Sequence, residues 1–298
     1  MQCLTGACTA LITPMKDNGD VDYDGFERLV TFQLEEGIDG LVPLGTSGEN
    51  PTLSDDEEER LIRIAVRTAG GAAPVVVGAG SNDTAHMKRY VERAKALGAD
   101  AALVVTPYYN KPNDSGLLAH FSEAARVGIP IIVYNIGSRT GRNIPCHLMQ
   151  KIAGIPGIAG IKEASGDITQ MQDMLCQVAE PLRREGRAFT VLSGDDALTL
   201  PFMSLGGDGV VSVVSNLYPK KVAALVRACR AGNFEEGRRL HYELLPFFRA
   251  AFIETNPVPI KQALLWAGLP AGPCRLPLGP LDPAHEAALR AAMQAVTG

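Results

Sequence analysis

The sequence predicts a (β/α)8 barrel followed by a helical extension, and three observations carry that prediction. Eight short β-rich apolar runs recur roughly every 25 to 35 residues, the spacing of repeated βα units. They are continuous apolar runs, not polar–apolar alternations, as parallel strands covered on both faces require. After about residue 217 the strand signal stops and only helical patterns remain. The 298 residues suffice for such a barrel, which takes about 250, and for the extension.

In order, the runs are ACTALITPM (7–15), GIDGLVPLG (37–45), PVVVGAG (74–80), DAALVVTPYY (100–109), IPIIVYNIG (129–137), IAGIKEAS (158–165), FTVLSGDD (189–196) and GVVSVVSN (209–216). Between the second and third, LSDDEEERLIRIAVRTA opens on Ser54 as an N-cap, with acids in the first turn that suit the helix dipole. Between the third and fourth, SNDTAHMKRYVERAKALG ends on Gly98, a residue able to take the left-handed conformation that closes a helix. Further on, PKKVAALVRACRAGNFEEGRRLHYELLPFFRAAF and NPVPIKQALLWAGL read as helices, followed by a Pro-rich connection (270–283) and a last helix, AHEAALRAAMQAV. The expected division is a catalytic barrel over 1–217 and a helical domain over 218–298. A doubly wound sheet is the alternative, but no Gly-x-Gly-x-x-Gly follows the first strand.

Composition narrows the partners. Hydrophobic content of 46% with 20% charged residues fits a globular protein, and a net charge of −5 with no basic run argues against nucleic acid and anionic membrane. Six scattered cysteines, with no Cys-x-x-Cys, suit a reducing compartment, and five dispersed histidines offer no zinc spacing. The N-terminus MQCLTGACTALITPMK has no basic n-region and its apolar stretch is broken by threonines and a proline. It reads as neither signal peptide nor membrane span, so a cytoplasmic protein is expected.

In such barrels the chemistry lies at the C-terminal strand ends. The second run ends in GTSGE (45–49), whose hydroxyls and Gly-framed amides can hold a carboxylate; an ordinary turn is the competing reading. The fourth run delivers Tyr108 and Tyr109, the fifth Tyr134 and Asn135 followed by Ser138 and Arg139, the sixth Lys162, and the seventh SGDD, with Gly194 in its turn. Lys162 ends an apolar run, either as a lysine snorkelling to water or as a desolvated amine, its unprotonated form favoured, ready to attack a carbonyl carbon. Tyrosines on two successive strand ends, with a lysine on the next, are hard to explain as packing. Phenols and hydroxyls around an amine move the protons that imine chemistry requires. Arg139 is a solvated loop charge or a planar fork for a substrate carboxylate. The acidic Asp195 and Asp196, with no Gly-rich basic cup nearby, speak against a phosphorylated substrate or phosphate-anchored cofactor. Glu163, Asp195 and Asp196 without histidine partners are a weak metal signal, and no metal is expected.

Taken together, TALITPM, LGTSGE, VTPYYNKP, YNIGSRTG, GIKEASGD, LSGDDA, GGDGVVSV and NPVPIK resemble, nearly end to end, the pyruvate-dependent class I aldolase family of N-acetylneuraminate lyase and dihydrodipicolinate synthase. YNIGSRTG points within it to the branch that condenses pyruvate with aspartate semialdehyde on the way to lysine, since the sugar-acid lyases generally lack the Ser-Arg-Thr-Gly run. The resemblance implies a Schiff base between Lys162 and pyruvate, with no cofactor. It makes Tyr134 a proton donor and acceptor, in a relay with Thr46 and with Tyr109 from a neighbouring subunit. Ser47 is placed on the pyruvate carboxylate, the Val211 backbone beside pyruvate, Gly194 among the substrate-binding positions, and Arg139 on the semialdehyde carboxylate. A homotetramer, a dimer of dimers, is the assembly implied. Ser47 stands where a second threonine is common, and Gly137 where proline is usual, which predicts a less rigid Arg139 loop.

In lysine-inhibited relatives the inhibitor occupies an interface site at positions matching Asn50, Pro51, Asp55, Glu58, Asn82, His86 and Tyr108. His86 replaces the usual glutamate, so weak inhibition or none is expected; whether Asp55 and Glu58 face the inhibitor is open at this level. Two alternatives stand beside the synthase: a 2-oxo sugar acid aldolase or lyase, and a regulatory barrel without turnover.

Overall fold

The computed structural model describes residues 4–297; Cys3 lies outside the described residues. All eight runs form strands: β1 Gly6–Ala10, β2 Gly40–Val42, β3 Val76–Gly78, β4 Ala101–Val105, β5 Ile131–Asn135, β6 Ile158–Glu163, β7 Thr190–Ser193 and β8 Gly209–Ser212. Their order is β2-β1-β8-β7-β6-β5-β4-β3 with every pairing parallel. A parallel bridge between Leu41 and Val75 joins the two ends into a ring. The strands are shorter than the apolar runs because each run continues past its last ladder bond into the barrel mouth, as where β2 gives way to the turns at Thr46–Gly48 and Asn50–Thr52.

Local signals explain the helices. Helix Asp55–Ala69 opens with a full capping box, Glu57 N donating to Ser54 Oγ at 3.3 Å and Ser54 N to Glu57 Oε2 at 2.9 Å. Helix Thr84–Ala96 ends two residues before Gly98, whose φ of +86° suits glycine. Beyond β8 lie helices Pro219–Arg230, Phe234–Ala250, Val258–Trp266 and Pro283–Thr297.

The core has two layers. Side chains including Cys8, Ala10, Val42, Leu103, Ile132, Tyr134, Leu192 and Val211 fill the barrel lumen. Residues of the opposite parity pack outward on the helices, and one hydrophobic cluster runs from Leu11, Leu41 and Val77 to Phe247, Leu264 and Leu289 in the C-terminal helices. Each such aliphatic or aromatic side chain contributes about 1.5–3 kcal/mol on burial. No helix among the described residues is long and apolar enough to cross a membrane.

One irregularity in β6 positions the chemistry. Ile131 pairs with Ile158, but the next residue, Ile132, pairs with Gly160, so Ala159 is an extra residue in β6. Ile158 and Ile161 thus both pack outward although three residues apart, and Lys162 falls in register with Tyr134. Strict alternation from Ile158 would have turned Lys162 to the helices. Gly160 permits the close strand approach here, since a Cβ would lie 2.4 Å from Thr190 O.

Candidate active site

A cavity of about 350 Å³ opens at the C-terminal strand ends, with Thr46, Tyr108, Tyr134, Arg139 and Asn256 in its wall. Lys162, Ser47, Gly194 and Val211 are not in that wall, but Lys162 meets Tyr134 of it and Ser47 meets Asn256. Lys162 is 6% exposed, and its Nζ lies 4.1 Å from the centre of the Tyr134 ring. No hydrogen-bond acceptor among the described residues meets that amine. Gly194 borders the lysine stem: a Cβ there would come within 3.0 Å of Lys162 Cε and 2.6 Å of Ala164 Cβ. Val211 belongs to the lumen cluster that includes Tyr134.

The GTSGE segment forms a 3₁₀ turn, Thr46–Gly48, with Gly48 N donating to Gly45 O at 3.0 Å and Glu49 N to Thr46 O at 3.2 Å. It is pinned from outside. Thr13 Oγ1 donates to Gly48 O at 2.7 Å, and Asn256 Nδ2 to Ser47 Oγ at 2.9 Å. Asn256 Oδ1 is buried without a partner among the described residues, and the Asn256 carbonyl accepts from Arg139 Nη2 at 3.3 Å. One asparagine therefore touches both the hydroxyl turn and the guanidinium.

Arg139 stands on the short helix Gly137–Thr140. Hydrogen bonds run within and around that loop. Thr140 Oγ1 donates to Arg142 O at 3.0 Å, Asn135 Nδ2 to Asn143 Oδ1 at 2.8 Å, and Ile144 N to Asn135 Oδ1 at 2.9 Å. The three acids at the strand ends are taken up by protein donors. Glu163 accepts from Asn135, from Ser165 N at 2.7 Å and from Gln170 Nε2 at 3.1 Å. Asp195 accepts from Ala197 N at 2.8 Å. Asp196 accepts from Ser212 Oγ and, at 2.9 and 3.3 Å, from Val213 N and Val214 N. Burial nonetheless pushes the Asp196 carboxyl up to about 6, against the pull of those bonds.

Other expected site residues separate. Tyr109, at φ +72°, is 89% exposed and stays out of its own chain's cavity. Asn50, Pro51 and Tyr108 line the cavity, whereas Asp55, Glu58, Asn82 and His86 do not. Glu58 is buried and ion-paired with Arg93, which also holds Asp55 at 2.7 Å. Asn50 Nδ2 donates to Glu58 Oε1 at 2.5 Å, and Asn82 O accepts from Asn110 at 2.8 Å.

Three residues with a bearing on the site went unremarked in the sequence: Glu49, Asn256 and Lys261. All lie inside motifs already singled out, LGTSGE and NPVPIK. For Lys261 the available signal was the same as for Lys162, a single lysine in an otherwise apolar stretch; Glu49 and Asn256 carry no such mark.

The model of the dihydrodipicolinate synthetase family matches residues 3–296. The chain belongs to the dihydrodipicolinate synthetase family. Family relatives named 4-hydroxy-tetrahydrodipicolinate synthase include one from Nitratidesulfovibrio vulgaris, 49% identical over 288 residues and covering 96% of each chain. Another, from Protochlamydia amoebophila, is 48% identical over 284 residues, covering 95% of this chain and 93% of the relative. The solved dihydrodipicolinate synthase of Thermotoga maritima superposes with a TM-score of 0.95 at 40% identity, covering 99% of both chains. The synthetase-family match therefore spans the C-terminal helices as well as the barrel.

Proposed function

We propose that this enzyme condenses pyruvate with L-aspartate 4-semialdehyde to 4-hydroxy-tetrahydrodipicolinate, in the lysine (diaminopimelate) pathway, through an imine on Lys162. The observation that carries the reading is a lumen-facing amine beside a phenol, under a cavity bounded by a hydroxyl turn and a guanidinium. The Lys162 amine attacks the pyruvate carbonyl carbon and water leaves, giving the imine. Loss of a methyl proton makes the enamine, whose carbon attacks the semialdehyde aldehyde. The semialdehyde's own amine then displaces Lys162 as the ring closes. The protonated imine nitrogen is the electron sink, so no external cofactor enters. Tyr134 and Thr46 relay the protons, with Tyr109 reaching in from a partner subunit; its exposure on its own chain supports that direction. Ser47 and the turn amides hold the pyruvate carboxylate, the Val211 backbone lies beside pyruvate, and Gly194 leaves room for the Lys162 stem and the substrate. Arg139 receives the semialdehyde carboxylate.

With this reading go a cytoplasmic homotetramer, a dimer of dimers, and weak feedback by lysine or none at the positions of Asn50, Pro51, Asp55, Glu58, Asn82, His86 and Tyr108. The engagement of Asp55 and Glu58 with Arg93 supports the weak feedback, since neither acid is free for an inhibitor's ammonium.

The test is borohydride reduction in the presence of pyruvate, followed by peptide mapping. The expected result is irreversible inactivation with one labelled residue, Lys162. Labelling of Lys261 or another amine, or none, overturns the mechanism.

A further inference from the structure

We infer that Glu49 and Lys261 form a buried ionic clamp that positions the Thr46–Ser47 turn, so that the C-terminal helices supply a positioning residue for pyruvate binding. This rests on the reading that the turn holds the pyruvate carboxylate. The pair is 2.6 Å apart, with side chains 1% and 2% exposed. All three Lys261 protons have acceptors: Glu49 Oε1, Thr13 O at 3.0 Å and Pro273 O at 2.7 Å. The other Glu49 oxygen accepts from Arg275 N at 2.7 Å.

Two features make this more than a packing contact. Glu49 directly follows the turn and closes it through Glu49 N–Thr46 O, at a φ of +55°. A residue with a Cβ holds that left-handed conformation only where its surroundings anchor it. In addition, the segment carrying Lys261 begins at Asn256, whose amide reaches Ser47, and Lys261 N donates to Pro257 O at 3.0 Å. The turn is thus gripped at Ser47 and at Glu49 by one short stretch of chain, while Thr13 holds Gly48 from β1's end. A loosened grip displaces the hydroxyl and amides that meet the carboxylate, and small displacements of positioned groups cost much of their effect.

The experiment compares Glu49→Gln, Lys261→Met, the double variant and Thr13→Val with wild type. Turnover and borohydride trapping are measured as pyruvate and semialdehyde are varied in turn. The single charge variants are expected to raise the half-saturating pyruvate concentration by about 10- to 100-fold, the loss of one charge-assisted contact. The constant for the semialdehyde is expected to move less than about threefold. The double variant, with no charge left unpaired, is expected to regain thermal stability over the singles without regaining pyruvate affinity. Thr13→Val keeps the ion pair and loses one tether, so about a three- to tenfold rise is expected even if the charge variants do not fold. An unchanged pyruvate constant in Thr13→Val, or in any charge variant that folds, overturns the inference, as does an equal shift for both substrates. If wild type itself yields no Lys162 adduct, the functional reading is what fails.

Discussion

Lys162 and Lys261 are both nearly inaccessible, at 6% and 1% exposure, and both end up close to the same cavity. Their surroundings differ in one respect. Lys261 spends its three protons on a carboxylate and two carbonyls, while Lys162 faces an aromatic ring and meets no acceptor among the described residues. A buried ammonium with every donor satisfied is a fastener, and removing one partner leaves a charge stranded. An amine that meets no acceptor is not tied down by hydrogen bonds and stays open to an incoming carbonyl carbon. Burial alone does not mark a nucleophile; the count of acceptors around it does.

The sharpest way to break that comparison is to replace each lysine by methionine. Lys162→Met should abolish turnover and pyruvate trapping while leaving the urea midpoint unchanged or raised. Lys261→Met should lower folding stability by about 3–5 kcal/mol, because Glu49 is left buried and unpaired. Equal destabilisation by the two would dissolve the distinction. Next in size, Tyr134→Phe should reduce kcat about 10²- to 10⁴-fold with the fold intact and a much smaller change in KM for pyruvate. Activity within a few-fold of wild type would make the ring a packing element only.

Asp196 sharpens the comparison from the acidic side, being a buried carboxyl with hydrogen bonds but no counter-ion among the described residues. Its carboxyl is raised to about 6 in the fold, against about 4 in an unfolded chain. Between those values the folded protein keeps a proton that the unfolded chain has lost. The associated stability is fully present below about pH 4 and disappears as pH rises through 6, an effect on the order of 2–3 kcal/mol. Urea unfolding at pH 4 and pH 7 should therefore show Asp196→Asn gaining on wild type at the higher pH. A constant difference would mean that the three donors outweigh burial. The smallest effect concerns lysine: at saturating pyruvate, millimolar lysine should inhibit little. Near-complete inhibition below that range would show that Asp55 and Glu58 leave Arg93 for the inhibitor.

What was legible in the chain follows the range of each signal. Strand runs, the Ser54 cap and Gly98 depend on neighbours within a few residues, and each appears where local pattern puts it. Lys162 was visible because the apolar run stopped on it. The partners that decide roles lie far apart in sequence: Glu49 with Lys261, Glu58 with Arg93, Ser47 with Asn256. Periodicity carries no information about such pairings, so Lys261 passed as one more helical lysine. The loop bearing Arg139 is bonded more locally, through Asn135 to Asn143 and Ile144 and through Thr140 to Arg142.

The additional residue in β6 gives chain length a role that side-chain chemistry does not have. Ala159 carries no functional group, and a survey of point substitutions would score its position as tolerant so long as the replacement is small. Removing it leaves an unbroken ladder in which Ile158 and Ile161 still face outward and Lys162 still lies opposite Tyr134. In a deletion scan this alanine should therefore be the one place in β6 where excision spares the register, whereas losing a residue between Gly160 and Lys162 should turn the amine towards the helices.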